Sequence, residues 1–410
     1  MGWTAPLLLA ACGARSRAIS GPDASVPDAR VPDAQAWWDT PPCPDQDGDG
    51  FLPPECGGAD CDDADASVFP GAPVWIQRRI EDGDFPSIAI DPDGAAWVAF
   101  AGTSPGGPDD VLLATDMGDW LVQGVEPDTG GRPKLAIDAE GFPHVVYTVD
   151  EVQLRHAFVE RTADGVDWVF ETVEDDRGVG AINEELDLAL GPGDEVHVAY
   201  SHASAGAPQD LFWATGAGDS WVLERVDPGP GWGLSIAIDG EGVPHVAYQD
   251  EEELVVAYRR GDSWTKQSVA PTWESNPTDI AFEPDGSMRI AFVQPITDAP
   301  SPLAVASNAS GVWETERIHG TESFYEPSLA VDPDGVVHVA FSYRGWSQGE
   351  KDSRIEYATD AGGLWTIEEV ADGRRPVIAV GPSGEIEIAY SKPAESPRGV
   401  WHAERTEACP

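Results

Sequence analysis

The chain has 410 residues, of which 73 are Asp or Glu and 24 are Lys or Arg, for a net charge of −49. A hydrophobic fraction of 41% with 16 Trp excludes wholesale disorder, and so negative a surface excludes nucleic acid as a partner, because it repels phosphates instead of releasing their counterions. No run of about 18 apolar residues occurs, so no membrane-spanning helix is expected, and at roughly 150 residues per domain the length allows two or three domains or one large repeat fold.

Residues 1–18 read as an address. The apolar run Ala5, Pro6, Leu7, Leu8, Leu9, Ala10, Ala11 ends at Cys12. Leu9-Ala10-Ala11-Cys12 resembles a bacterial lipobox, which implies that Cys12 is acylated and that the protein meets a membrane through a lipid anchor only. The departure is that no Lys or Arg precedes the run. Residues 19–42 follow as a disordered tether. Pro22, Pro27 and Pro32 repeat a Pro-Asp-Ala unit, whose Pro opposes helix and whose Asp residues repel one another.

Residues 43–73 concentrate carboxylates and cysteines. Asp45, Asp47 and Asp49 alternate ahead of Gly50, and Asp60, Asp62, Asp63 and Asp65 follow. Alternating carboxylates with a Gly turn can fold around one hard cation, as in the first half of an EF-hand loop. The second half departs, since the twelfth loop position is Cys56 in place of a bidentate Glu. The order DxDGDG, CGGxDCDD, PGA resembles the Asp/Cys-rich metal-binding motif of bacterial surface proteins and, more loosely, the thrombospondin type 3 repeat. The resemblance implies a structural Ca2+, and the oxygen-only ligands agree with it. With Cys12 set aside, Cys43, Cys56, Cys61 and Cys409 remain, an even number with three possible pairings. Cys56 with Cys61 inside the motif and Cys43 with Cys409 across the chain ends are the favoured pair.

From residue 74 to the end the sequence repeats. Its hairpin phrase occurs at 86–100, 133–147, 186–200, 234–248, 278–292, 327–341 and 376–390, as in PSIAIDPDGAAWVAF and PSLAVDPDGVVHVAF. Each phrase is two alternating apolar runs around a Gly-containing turn. A third apolar run follows, and then a fourth that begins with Trp: Trp120, Trp168, Trp221, Trp264, Trp313 and Trp365. Four strands per repeat is one propeller blade. Seven phrases face only six following Trp strands, and Trp75 with Ile80 supplies the seventh from the N-terminal side. The expectation is an all-β, seven-bladed β-propeller over 74–410, closed by an N-terminal strand. The repeat resembles the sialidase-like, BNR-type propellers, with worn Asp-boxes such as Asp360, Gly362, Trp365; this implies a fold and no activity.

The loops entering the innermost strands, with those between second and third strands, are expected on one face of the ring. Ligand-binding candidates there are Trp232, Trp273, Asn276, Tyr343 and Trp346, aromatic and polar groups suited to a sugar or peptide. By resemblance, a sialidase needs converging Arg and a Tyr with a carboxylate partner. Arg132, Arg375, Tyr325 and Glu326 are the candidates; Phe85, Glu185, Gly233 and Pro277 hold the equivalent places elsewhere, so no third Arg is evident. His144, His197, His245 and His338 share one repeat position in separate blades, which points to packing at turns and away from a metal site. The sequence therefore reads as an exported, lipid-anchored cell-surface propeller, stabilised by calcium, that binds a glycan or surface protein as a monomer. A secreted form, a divergent sialidase-like glycoside hydrolase and an envelope protein-interaction scaffold are the alternatives.

Overall fold

The computed structural model describes residues 72–102, 110–126, 131–162, 165–175, 180–204, 209–218, 220–229, 231–272, 277–295, 301–319, 324–344, 353–392 and 399–407. Cys12, the tether, the Asp-rich motif with Asp45, Asp47, Asp49, Asp60, Asp62, Asp63 and Asp65, and all five cysteines lie outside these residues. So do Trp273, Asn276 and Trp346. Trp75–Arg161 and Asp167–Arg405 form one compact unit.

The described strands form seven four-stranded antiparallel sheets. Blade I comprises Gly83–Ile90, Ala96–Gly102, Asp110–Asp116 and Trp120–Glu126, and blade II Lys134–Ile137, Pro143–Val149, Gln153–Thr162 and Gly165–Asp175. Blade III comprises Gly180–Leu190, Val196–Ser204, Gln209–Thr215 and Val222–Asp227, and blade IV Trp232–Ile238, Pro244–Asp250, Glu253–Arg260 and Ser263–Pro271. Blade V comprises Asp279–Phe282, Met288–Val293, Leu303–Ser307 and Glu314–His319, and blade VI Phe324–Val331, Val337–Arg344, Ser353–Thr359 and Thr366–Asp372. Blade VII takes Arg374–Val380, Ile386–Lys392 and Gly399–Glu407 from the end of the chain, and its outer strand is Pro73–Glu81. The expected seven-blade closure by a strand starting near Trp75 is therefore what the structure shows.

The repeat explains both the hairpins and the packing. In the first turn Asp91 Oδ1 accepts the Asp93 and Ala95 amides, each at 2.9 Å, and Gly94 takes φ 89°, a backbone that side chains resist. Asp138, Asp239 and Asp332 do the same in blades II, IV and VI. One aromatic position, Phe100, Tyr147, Tyr200, Tyr248, Phe292, Phe341 and Tyr390, is buried in all seven blades. Each inter-blade core cluster also holds one of the outer-strand tryptophans against its edge. Burying one such side chain contributes about 1.5–3 kcal/mol, so the core lies between blades, and an isolated blade would leave one face bare.

Candidate functional site

The innermost strands of all seven blades surround a cavity of about 380 Å3 on the ring axis. Its mouth is formed by Phe85, Arg132, Glu185, Gly233, Pro277, Glu326 and Arg375, the one repeat position singled out from the sequence. Four of these residues, Phe85, Gly233, Glu326 and Arg375, have φ between 52° and 57°. Each sits at a register shift in its inner strand, a bulge that re-aims the side chain. A non-glycine residue held in this conformation costs about 1–3 kcal/mol and is a pointer to function when it recurs at one site.

Three strained residues form a contiguous arc across blades VI, VII and I. Arg375 Nη1 lies 3.0 and 3.1 Å from the Asp84 oxygens, and its backbone amide donates to Glu326 Oε2 at 3.0 Å. Arg374 Nη2 reaches Asp84 Oδ2 at 2.8 Å. The guanidinium carbons of Arg132 and Arg375 stand 4.1 and 4.2 Å from the centroid of the Phe85 ring. Burial pushes the Asp84 carboxyl up, but Ser391, Arg375, the Phe85 amide and Arg374 outweigh it and hold the group below the usual carboxylate range. Beneath the mouth, Thr148, Ser201, Gln249, Ser342 and Ser391 share a second repeat position and are all buried. Ser342 Oγ donates to Glu326 Oε2 at 3.3 Å. Through that bond the buried polar layer fixes the Glu326 carboxylate.

Deeper in the channel lies a belt contributed by the second residue of each hairpin phrase: Ser87, Lys134, Asp187, Ser235, Asp279, Ser328 and Val377. Its logic is regular. Ser87 Oγ accepts the Leu135 amide of the next blade at 3.1 Å, and Asp187 accepts the Ile236 amide at 2.9 Å. Ser235, Asp279 and Ser328 accept the amides of Ile280, Leu329 and Ile378 in the same way. Lys134 and Val377 cannot accept. Lys134 instead puts Nζ 3.3 Å from Asp187 Oδ1, and although burial opposes its charge, Asp187, Asp279 and Glu185 raise its pKa. Lys134, Asp187 and Asp279 were not among the candidates read from the sequence. The available signal was their shared place in the phrase, which is Ser in three other blades.

Trp232 opens the inner strand of blade IV, half-buried and opposite Gln249. Tyr343 is half-buried in blade VI, with the Arg354 guanidinium 4.6 Å from its ring centroid. The Tyr325 backbone pairs with Ser342; its side chain lies outside the described residues. Arg132, Arg375 and Glu326 are brought to one mouth. The four repeat histidines are not brought together. His144, His245 and His338 each face the turn carboxylate of their own blade, at 3.6, 3.3 and 3.6 Å. Blade III has Gly191 in that turn, and burial pushes His197 down to about 4. Among the described residues no group of three or more His, Cys, Asp or Glu is arranged to hold a metal.

No protein-family model matches the sequence, and no curated protein sequence matches it. Solved structures do match in fold. A polysaccharide lyase of family PL25, an ulvan lyase bound to -[GlcA(1-4)Rha3S]-, superposes with a TM-score of 0.53 at 12% identity, over 80% of this chain and 95% of that one. A second structure of ulvan lyase gives 0.52 at 12% identity, over 79% and 95%. The intramolecular trans-sialidase from Ruminococcus gnavus gives 0.42 at 13% identity, over 80% and 96%.

Proposed function

We propose that this propeller binds the end of a glycan at the mouth of its axial channel. The observation that carries the reading is the mouth itself. Strained Phe85, Glu326 and Arg375, with Arg132 stacked on Phe85, stand over a polar-lined cavity of about 380 Å3. Around that mouth Arg132 and Arg375 are donors and Glu185 and Glu326 acceptors, which suits a polyhydroxylated ligand, and the Phe85 ring supplies an apolar face. The ulvan lyase likeness supports a saccharide through its fold alone. A lipid anchor at Cys12, a structural Ca2+ in the Asp45–Asp65 motif and a location at the cell surface belong to the same reading. A surface-protein ligand and an envelope scaffold are its rivals. A sialidase-like hydrolase is the second reading, favoured by Glu326 and Arg375 meeting at one mouth.

The test is a glycan array probed with the full chain and with Arg132→Ala, in calcium and in chelator. Binding that falls at least tenfold in Arg132→Ala is expected. Equal binding by both proteins removes the channel mouth as the site, and a blank array moves the protein-interaction reading to the front. Release of free sugar from a bound glycan, abolished by Glu326→Gln, would install the hydrolase instead.

A further inference from the structure

Asp279 joins its own blade V to blades IV and VI through one carboxylate. Its Oδ1 accepts the Ser235 hydroxyl of blade IV at 3.1 Å. Its Oδ2 accepts the Ser328 hydroxyl at 3.0 Å and the Leu329 amide at 2.7 Å, both from blade VI. Ser235 Oγ in turn accepts the Ile280 amide at 3.3 Å. The charged groups facing Asp279 are Asp187 from blade III and Lys134 from blade II, and Lys134 is paired with Asp187. Blades IV and VI bring it hydroxyls and an amide; in blades I and VII the belt position is Ser87 and Val377, which carry no charge.

We propose that Asp279 and Ser235 form a proton-operated switch in the channel, in which proton uptake by Asp279 reverses their hydrogen bond and takes the belt from net negative to neutral. In the ionised form Ser235 donates to Asp279 Oδ1. A proton from solvent on Oδ1 makes Asp279 the donor to Ser235 Oγ, and the Ser235 O–H is released to donate into the channel. Oδ2 keeps its bonds to Ser328 and Leu329, so the blades stay joined. The charge follows by count: Lys134 with two carboxylates sums to −1, and with one carboxylate to zero. Burial pushes the Asp279 carboxyl up and Asp187 adds to this. The Leu329 amide, Lys134 and Ser328 oppose it, and the group settles at about 6. Below that pH the channel wall is neutral and offers one more donor, which favours an acidic group on a ligand. That consequence rests on the channel being the ligand site; the switch itself does not.

The switch is tested without ligand, by melting the full chain and Asp279→Asn from pH 4 to pH 8. A carboxyl raised from 3.8 to about 6 on folding stabilises the fold at low pH and loses that contribution as pH rises through its folded value. The Tm of the wild type minus that of Asp279→Asn should fall between about pH 4 and 6.5 and stay flat above 7. A difference constant across the whole range overturns the proposal. Should Asp279→Asn fail to fold, infrared difference spectra of Asp187→Asn decide. Loss of the facing negative charge should move the protonated-carboxyl band that disappears near pH 6 to lower pH, and a band left in place contradicts the switch. A blank glycan array leaves this result standing, and a missing pH break leaves the glycan reading standing.

Discussion

The seam between blades VII and I and the two seams flanking blade V close the same ring by different chemistry. At VII/I the belt residue is Val377, which accepts nothing, and ion pairs take over. Asp84 of blade I meets Arg374 and Arg375, and Arg78 of the N-terminal strand reaches Asp116 at 2.6 Å. On either side of blade V the described residues show no ion pair across the seam. There Asp279, Ser235 and Ser328 carry the belt, and Thr278 adds two bonds to the Gly233 carbonyl. One repeat position thus does two jobs. Where it accepts a neighbour's amide it seals the ring quietly; at the VII/I seam, where it does not, the compensating charges of Asp84, Arg374 and Arg375 gather near the mouth. The same VII/I seam also holds the strained residues Phe85 and Arg375.

Breaking the charged seam should cost most. Asp84→Ala leaves Arg374 and Arg375 with no carboxylate from blade I in a setting less than a third exposed, and a loss of roughly 3 kcal/mol is expected, read as a shift in denaturant midpoint without a change in slope. A loss within 0.5 kcal/mol would show the ion pairs to be passengers on the hydrophobic seam. Arg78→Ala should cost less, about 1 kcal/mol at low ionic strength, because its side chain is a third exposed. That loss should shrink in 1 M salt, because salt screens ion pairs that solvent reaches. Smallest of all is the repair. Val377→Thr supplies a hydroxyl where the belt lacks one, facing the Ile88 amide by analogy with the other seams, and a gain of about 0.5–1 kcal/mol in Tm-derived stability is expected.

The ring was legible in the sequence because its determinants repeat. The buried aromatic from Phe100 to Tyr390 and the tryptophans from Trp75 to Trp365 recur with the apolar alternation that strands need, and the missing seventh Trp pointed to the N-terminal strand. The mouth was half legible. Aligning the phrases brought Phe85, Arg132, Glu326 and Arg375 to one position, but only the bulges, which place φ near 52–54°, show why three of these side chains turn toward the axis. Lys134, Asp187 and Asp279 shared a place in the phrase that is Ser in three other blades, but which neighbours that place meets was fixed only when the sheets brought the blades together. The aromatic loop candidates divide: Trp232 and Tyr343 have places near the top of blades IV and VI, and Trp273 and Trp346 fall outside the described residues.

Amide hydrogen exchange of the full chain at low and at high salt tests the two-seam account most directly. The account predicts that salt speeds exchange in Gly83–Ile90 and Arg374–Val380, the inner strands of blades I and VII, and leaves Asp279–Phe282 and Phe324–Val331 unchanged. Exchange that rises equally at every seam, or first around blade V, would contradict it.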